Sequence, residues 1–389
     1  MQTIRDKGNI IYCALFTCLI ASSFVNQEVY AFTVRYASLI VFAVLGLLSL
    51  PYLAGDIRDR NPELVLVFLT VVLSLVCAVL SGSGYGAVLI PSDLALICYM
   101  TGHLRLSGRS VAYLSFAGAC PVILWYSHVR WSYNFNMAGF AFMLMAFFGM
   151  IVIEMTDSGG LVYIKNKGFI EAVIFLTGFI LSMLYHSRTA MFGMAVFALV
   201  WALFNIMSTS KWLYVLLFVM AAPGAVLFTA AYIRLADIFG NITLLYKDIF
   251  SGRQEIWREL WTAFSGSPVV GIGSSYQLKS FEIFEVHNGM FDILVVHGAV
   301  VFVLVLIMLS RSFLRIYGSV KEDGSERETA DRGLHNSDAV ARISLSAAFA
   351  MMFTSFFENF FTVPPYSIIF MTFLLIITGG RGGEKNTDG

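Results

Sequence analysis

Long apolar runs separated by short polar connectors make up most of the chain. Most of the runs approach or reach the roughly 20 residues that a helix needs to cross the hydrocarbon core of a bilayer, and they carry almost no charge. The pattern predicts an all-α polytopic membrane protein with about 12 transmembrane helices. The predicted spans are residues 8–26, 36–54, 64–81, 86–101, 111–127, 136–155, 169–185, 190–207, 213–233, 289–310, 343–360 and 364–380. The fourth run is short and contains Pro91 and Asp93, so a broken or re-entrant segment is the alternative there.

Composition supports the same class. Hydrophobic residues make up 58% of the 389 and charged residues 13%, whereas about a quarter of the residues in a soluble domain are charged. The connectors are too short to form a separate soluble core, so residues 1–389 are expected to be a single integral membrane domain. The formal net charge is zero, which argues against nucleic acid as a partner.

The distribution of Lys and Arg predicts the orientation, because basic residues are enriched in cytoplasmic loops. With the N-terminus in the cytoplasm, 17 of the 25 Lys and Arg residues fall on the cytoplasmic side. Both termini are then cytoplasmic, residues 311–342 form a flexible cytoplasmic loop, and residues 381–389 form a cytoplasmic tail. Residues 234–288 become the one long loop on the opposite, periplasmic side.

This long loop contains the pattern of an amphipathic helix. Ser251 and Gln254 have the spacing of a capping box, which would put Arg253 in the first turn. One helical face would carry the apolar side chains Ile256, Trp257, Leu260, Trp261 and Phe264. A helix N-terminus favours phosphate groups, so Arg253 is a candidate anion ligand. The alternative is a solvated arginine on a helix that lies on the lipid headgroups.

Three further residues are candidates for chemistry at the outer face. Arg188 lies in a tight connector between two apolar spans, where it either faces the mouth of the bundle or snorkels to the interface. His287 precedes a span and could be a general base or a hydrogen-bonded cap residue. Glu358 lies among phenylalanines at the predicted outer end of a span, either desolvated and functional or snorkelling to water.

Several common catalytic motifs are missing from the sequence. No outer loop has a paired acidic motif that would hold a metal ion with a sugar nucleotide. No P-loop, Gly-x-Ser-x-Gly or His-Glu-x-x-His motif occurs either. The sequence therefore indicates neither a metal centre nor a cofactor.

Taken together, these motifs resemble one known superfamily. The connector His186-Ser-Arg-Thr189 and the stretch from Ser251-Gly-Arg-Gln-Glu-Ile-Trp257 to His287-Asn288 resemble the O-antigen ligases and polymerases of bacterial envelope polysaccharide assembly. The His-Asn pair is followed by Gly298, as in that superfamily, but Val301 stands where Gly, Thr or Tyr is frequent. The resemblance covers about residues 170–310.

The resemblance implies a fold and an activity. It implies a GT-C-like helical protein of the bacterial inner membrane that transfers glycans at the periplasmic face, without metal or cofactor and with inversion. The expected donor is an oligosaccharide linked to undecaprenyl pyrophosphate in the lipid bilayer, and a chain-length regulator is a further candidate partner. The expected reaction is polymerisation of O-antigen or a related surface polysaccharide onto a lipid-linked repeat unit. The alternatives are ligation of the glycan to the lipid A core, and a flippase or transporter of lipid-linked oligosaccharides.

The resemblance also implies roles for individual residues. Arg188 and Arg253 would stabilise the departing pyrophosphate, and His287 would deprotonate the acceptor hydroxyl. The residues expected to help bind the pyrophosphate or the glycan are Arg234, Arg258, Asn288 and Glu358.

Overall fold

The fold is that of a computed structural model. It describes residues 2–123, 135–158, 164, 166–207, 210–240, 242–244, 247–248, 250, 252–279, 286–326 and 335–379. Most of these residues are helical, as predicted. The described residues also include two short strands, β1 (Thr243–Leu244) and β2 (Lys247–Asp248), which pair in an antiparallel ladder.

Fourteen helices have bounds within the described residues. They are α1 (Gln2–Val25), α2 (Gln27–Arg58), α3 (Pro62–Leu80), α4 (Gly86–His103), α5 (Gly108–Ala119), α6 (Phe135–Ser158), α7 (Lys167–Leu184), α8 (Arg188–Met207), α9 (Lys211–Ala221), α10 (Pro223–Phe239), α11 (Arg253–Ser265), α12 (Gly289–Glu326), α13 (His335–Thr354) and α14 (Tyr366–Gly379). The ladder lies between α10 and α11, in the segment predicted as the long loop.

The helices support a multi-pass membrane protein, but they do not confirm twelve spans. Among the described residues, seven helices are long and apolar enough to cross a membrane. The pair α9 and α10, bent by 47°, would make an eighth span. Helices α5 and α14 have 12 and 14 residues, and α4 is continuous through Pro91 but is not one of the seven. Helix α4 packs against α2, α3 and α12, so its more polar sequence is buried by protein.

Two predicted boundaries differ from the structure. Helix α12 continues to Glu326 and α13 begins at His335, so helix occupies most of residues 311–342, which were expected to be a flexible loop. Helix α13 ends at Thr354, so Glu358 lies in the connector to α14 and not in the span predicted at 343–360. Pro364 and Pro365 follow in this connector, and the residue before a proline is disfavoured in helical conformation. The predicted tail 381–389 lies outside the described residues.

Small residues bring α6, α8 and α13 close together. A Cβ atom at Gly139 of α6 would lie 2.1 Å from the Ser187 Oγ, and one at Gly193 of α8 would lie 2.5 Å from the Thr354 Cγ2. Close backbone approach through small residues is typical of helix packing in membranes. This packing brings the start of α8 next to α6 and to the end of α13.

Helix α12 is interrupted at Gly298, where φ is 85°. The segment after α11 fills the break: the amide of Ile272 donates to the Val295 carbonyl at 2.8 Å, and the amide of Ala299 donates to the Pro268 carbonyl at 2.9 Å. The interruption would otherwise leave these backbone groups unsatisfied in the interior of the protein. The break therefore fastens the segment after α11 to the first part of α12, and so helps fix the two helices relative to each other.

Candidate functional site

Four segments that are distant in sequence meet at the carboxylate of Glu358. The Arg253 Nη2 donates to the Glu358 Oε1 at 3.1 Å, and the Asn136 Nδ2 donates to the same oxygen at 3.0 Å. The His287 Nδ1 lies 3.6 Å from the other oxygen, Oε2. These contacts join the start of α6, the start of α11, the residue before the cap of α12, and the connector between α13 and α14. We refer to Asn136, Arg253, His287 and Glu358 as the Glu358 cluster.

The apolar face of α11 positions Arg253. Ile256, Trp257, Leu260 and Phe264 are buried, as the amphipathic pattern predicts. The Trp257 side chain is fully buried, and its Nε1 donates to the Val286 carbonyl at 2.7 Å. Trp257 therefore does not lie on lipid headgroups, which was the alternative for this helix. Its hydrogen bond ties α11 to the residue next to His287, so the position of Arg253 is coupled to that of His287.

The start of α11 differs from the predicted capping box. Gly252 is the N-cap, with φ at 78°; Ser251 lies outside the described residues. Glycine suits this position because side chains other than hydrogen are strained at positive φ. The approach to the helix is held by the hydroxyl of Tyr232, which donates to the Phe250 carbonyl at 2.8 Å. Arg253 is the first residue of α11, so the prediction that it lies in the first turn is confirmed.

His287 and Asn288 form the entry to α12. His287 has a φ of 54°, an uncommon conformation for a residue with a side chain. The fully buried Asn288 is its neighbour: its Oδ1 accepts from the Phe291 amide at 2.9 Å, and its Nδ2 donates to the Ala225 carbonyl at 2.9 Å. Asn288 thus caps the helix and holds the backbone that presents the imidazole. Its predicted part in substrate binding stays a prediction.

The Glu358 cluster is sheltered but reachable. The exposed fraction of the side chain is 10% for Glu358, 15% for Arg253 and 25% for His287. The Arg253 guanidinium also lies 5.9 Å from the centre of the Phe357 ring, within the range of a cation–π contact. Partial exclusion of water strengthens the electrostatic interactions within the cluster. The exposed part of His287 remains available to a ligand.

Arg188 begins α8 beside this cluster. Helix α8 packs against the connector between α13 and α14. The rings of Phe192 on α8 and Phe357 in this connector are 5.4 Å apart in an edge-to-face contact, and Arg253 lies against the same Phe357 ring. Ser187 packs against Gly139, one turn from Asn136 on α6. The Arg188 side chain is half-buried, and its role stays a prediction.

Arg234 and Arg258 are the two further arginines that were expected to support the pyrophosphate. Both side chains are exposed, and the Arg258 Nη2 pairs with the Asp237 Oδ1 at 2.5 Å. Exposed ion pairs of this kind contribute little to stability. The exposure of these two arginines does not decide whether they help bind the pyrophosphate, so that role stays a prediction.

Asn136 is a member of the Glu358 cluster that the sequence did not predict. An asparagine at the start of an apolar span gives no local signal of function, because its partner Glu358 is 222 residues away in the chain. Within the described ranges, no three His, Cys, Asp or Glu side chains are grouped as metal ligands would be. Metal independence stays a prediction.

Part of the chain matches a known protein family. Residues 172–306 match the family described as O-antigen ligase. The match confirms the resemblance seen in the sequence, and the matched segment contains Arg188, Arg234, Arg253, Arg258 and His287. No curated protein and no solved structure matches the chain.

Proposed function

We propose that this protein is a membrane glycosyltransferase of the bacterial inner membrane that polymerises O-antigen or a related surface polysaccharide. It would transfer a glycan from undecaprenyl pyrophosphate to a lipid-linked repeat unit at the periplasmic face. The observation that carries the proposal is the pairing of one carboxylate, Glu358, with both a cation, Arg253, and a candidate base, His287. A cation for the leaving group and a base for the acceptor are the two groups that a metal-independent transfer requires.

His287 is the proposed general base. Its Nδ1 faces the Glu358 Oε2 at 3.6 Å, and the proposal assigns the other ring nitrogen, Nε2, to the proton of the acceptor. A carboxylate beside Nδ1 favours the tautomer that carries its proton there, and it stabilises the imidazolium that forms. Glu358 is therefore a positioning residue in this proposal and acts through His287 and Arg253.

Arg253 is the proposed ligand of the pyrophosphate. It stands at the N-terminus of α11, and the N-terminus of α12 lies next to His287. Helix N-termini carry partial positive charge, so both favour an anion between them. A guanidinium has five N–H donors in a planar fork, and the contact with Glu358 uses Nη2. Donors of the same side chain therefore remain for phosphate oxygens.

The proposed reaction is a direct displacement. The acceptor hydroxyl oxygen forms a bond with the anomeric carbon while the bond from that carbon to the pyrophosphate oxygen breaks. The hydroxyl proton passes to the His287 Nε2, and the bonding electron pair leaves with the pyrophosphate, whose growing charge Arg253 and Arg188 stabilise. Attack from the side opposite the leaving group inverts the anomeric carbon. Arg234 and Arg258 would support the binding of the lipid-linked glycan, and the buried Asn288 would hold the backbone that presents His287.

The test compares two arginine variants. Arg253→Ala should abolish polymer formation in cells while the protein still inserts into the membrane at normal levels. Arg58→Ala is a matched control, because Arg58 is a strongly exposed arginine at the end of α2 whose partner is Asp59. Wild-type polymer from Arg253→Ala would refute the assignment of this site.

A ligase is the second candidate, because the family matched by residues 172–306 is described as O-antigen ligase. The two activities leave different products when the gene is deleted. Loss of a polymerase leaves lipid A core that carries a single repeat unit. Loss of a ligase leaves bare core, with the polymer still attached to undecaprenyl pyrophosphate. Electrophoresis of lipopolysaccharide from a deletion strain separates the two outcomes.

A further inference from the structure

Four partly exposed phenylalanine rings lie next to the Glu358 cluster. One belongs to α8, one to α10 and two to the connector between α13 and α14; they are Phe192, Phe228, Phe356 and Phe357, and we refer to them as the phenylalanine patch. The ring centre of Phe356 lies 6.4 Å from that of Phe192 and 4.9 Å from that of Phe228. The ring centre of Phe357 lies 5.4 Å and 5.3 Å from the same two rings. The two connector rings therefore bridge α8 and α10.

The phenylalanine patch lies on helix faces that are open to the surroundings. Leu199 follows Phe192 by seven residues and shares its face of α8. Leu235 follows Phe228 by seven residues and shares its face of α10. Both leucines are exposed, at 61% and 43%. Since α8 is long and apolar enough to span a membrane, and α10 belongs to the bent pair that would make a further span, a lipid can approach the patch sideways from the bilayer.

The two arginines that are proposed to stabilise the pyrophosphate border this patch. The guanidinium carbon of Arg253 lies 5.9 Å from the centre of the Phe357 ring. Arg188 lies four residues before Phe192 on α8, and residues four apart are neighbours on a helix surface. Apolar surface thus begins directly beside the side chains that would bind phosphate oxygens. A lipid that lies across this boundary must carry hydrocarbon within a few atoms of its phosphate.

This requirement separates two kinds of membrane lipid. In a prenyl pyrophosphate, the hydrocarbon chain is joined to the phosphate through a single oxygen atom. In a glycerophospholipid, the glycerol and its two ester groups stand between the phosphate and the chains. Those esters would lie against phenyl rings, which offer them no N–H or O–H donor, and a polar group that loses its hydrogen bonds to water in this way is unfavourable. The patch therefore fits an isoprenoid chain better than a phospholipid.

We infer that the phenylalanine patch binds the first isoprene units of the lipid carrier whose pyrophosphate lies at Arg253 and Arg188. The inference rests on the proposed function, because it takes the pyrophosphate to bind at these arginines. It adds the part of the site that recognises the carrier chain. Burial of the chain against the rings is favourable, and it would hold the pyrophosphate in place beside His287.

Photo-crosslinking measures the occupancy of the patch without catalysis. The photoreactive residue p-benzoylphenylalanine replaces Phe192 in one full-length protein and Phe169 in another; Phe169 is a 71% exposed residue of α7 and is the matched control. Each protein is placed in nanodiscs that contain the same small mole fraction of labelled undecaprenyl pyrophosphate, without a glycan, or of labelled phosphatidylglycerol. Undecaprenyl pyrophosphate should label position 192 roughly tenfold more than position 169, as expected when about one apolar side chain is buried. Phosphatidylglycerol should label both positions equally.

The outcomes distinguish this inference from the proposed function. Equal labelling of positions 192 and 169 by undecaprenyl pyrophosphate would overturn the inference, and so would an equally strong preference of phosphatidylglycerol for position 192. Selective labelling by undecaprenyl pyrophosphate in a protein that transfers no glycan would refute the transferase and leave the lipid site in place. Glycan transfer without selective labelling would refute the lipid site alone.

Kinetics with two donors test the same contact during turnover. Phe192→Ala should raise the KM for an undecaprenyl-linked donor roughly tenfold with kcat unchanged, because it removes apolar contact with the chain. Phe192→Leu keeps an apolar side chain and should remain close to the wild-type protein. With the same glycan on methyl pyrophosphate, which has no chain, Phe192→Ala should have the wild-type KM. An equal rise in KM for both donors would place the defect at the pyrophosphate and overturn the inference.

Discussion

The guanidinium of Arg253 and the carboxylate of Glu358 form a hydrogen-bonded ion pair at 3.1 Å across 105 residues of sequence. Both side chains are largely sheltered from solvent, so the pair is stronger than an exposed one. The same carboxylate lies beside the His287 imidazole. One acidic side chain thus fixes the relative positions of the proposed pyrophosphate ligand and the proposed base.

Glu358→Gln should separate this positioning role from a merely structural one. The amide keeps the size of the side chain but removes the charge that orients His287 and pairs with Arg253. We expect the transfer rate to fall by about tenfold or more, a part of the roughly 10²–10⁴-fold that a positioned base contributes. Initial rates measured in detergent over a range of acceptor concentrations should show a lower kcat with a smaller change in KM.

Glu28→Gln is the control for this substitution, because Glu28 is exposed in the first turn of α2. It should leave the rate unchanged. A Glu358→Gln protein with the wild-type rate but a lower thermal midpoint would reduce Glu358 to a structural role.

Asn136 should be sensitive to the sign of the charge placed there. Its amide donates to the Glu358 oxygen that also accepts from Arg253. Asn136→Asp would put a second carboxylate in contact with Glu358, and the repulsion would compete for Arg253. Asn136→Ala would remove one hydrogen bond, with a net value of about 0.5–1.5 kcal/mol. The transfer rate should therefore fall further in the aspartate variant than in the alanine variant, and the reverse order would contradict the geometry.

Asn288 is predicted to affect folding more than substrate binding. Asn288→Ala removes the cap of α12, at a cost of about 0.5–2 kcal/mol, and leaves the buried Ala225 carbonyl without its side-chain donor. The midpoint temperature of thermal unfolding, monitored by size-exclusion chromatography of heated samples, should be lower than that of the wild-type protein. A raised KM for the lipid-linked acceptor with an unchanged midpoint would instead favour the substrate-binding role predicted from the sequence.

The sequence predicted what depends on local periodicity and missed what depends on tertiary contacts. The buried face of α11 and the place of Arg253 in its first turn follow from the spacing of apolar residues within one helix. The contact of Asn136 with Glu358 could not be predicted, because the residues around either one do not indicate the other as its partner. The N-cap of α11 lies one residue later than the capping box predicts, at a glycine with positive φ. The count of twelve spans was not confirmed: α5 and α14 have only 12 and 14 residues, and α4 is packed among other helices and is not one of the seven that are long and apolar enough to cross a membrane.

The interruption of α12 gives the sharpest test of how the site is assembled. At Gly298, where φ is 85°, an added Cβ would lie 2.1 Å from the Val269 carbonyl oxygen. Gly298→Ala therefore combines backbone strain with a steric clash, and it should release the segment after α11 from α12. We expect a lower thermal midpoint and loss of transfer activity, because the orientation of Arg253 relative to His287 depends on this contact.

Gly318→Ala is the matched control on the same helix, because nothing lies within 4 Å of an added Cβ there. Alanine in a helix interior is favoured over glycine by roughly 0.5–1 kcal/mol, so this variant should be as stable as the wild-type protein or slightly more stable. Gly271→Ala, whose Cβ would lie 2.4 Å from the Val296 carbonyl oxygen, should reproduce the defect of Gly298→Ala from the other side of the contact. If Gly298→Ala and Gly271→Ala both retain normal activity and stability, the contact does not hold the site together.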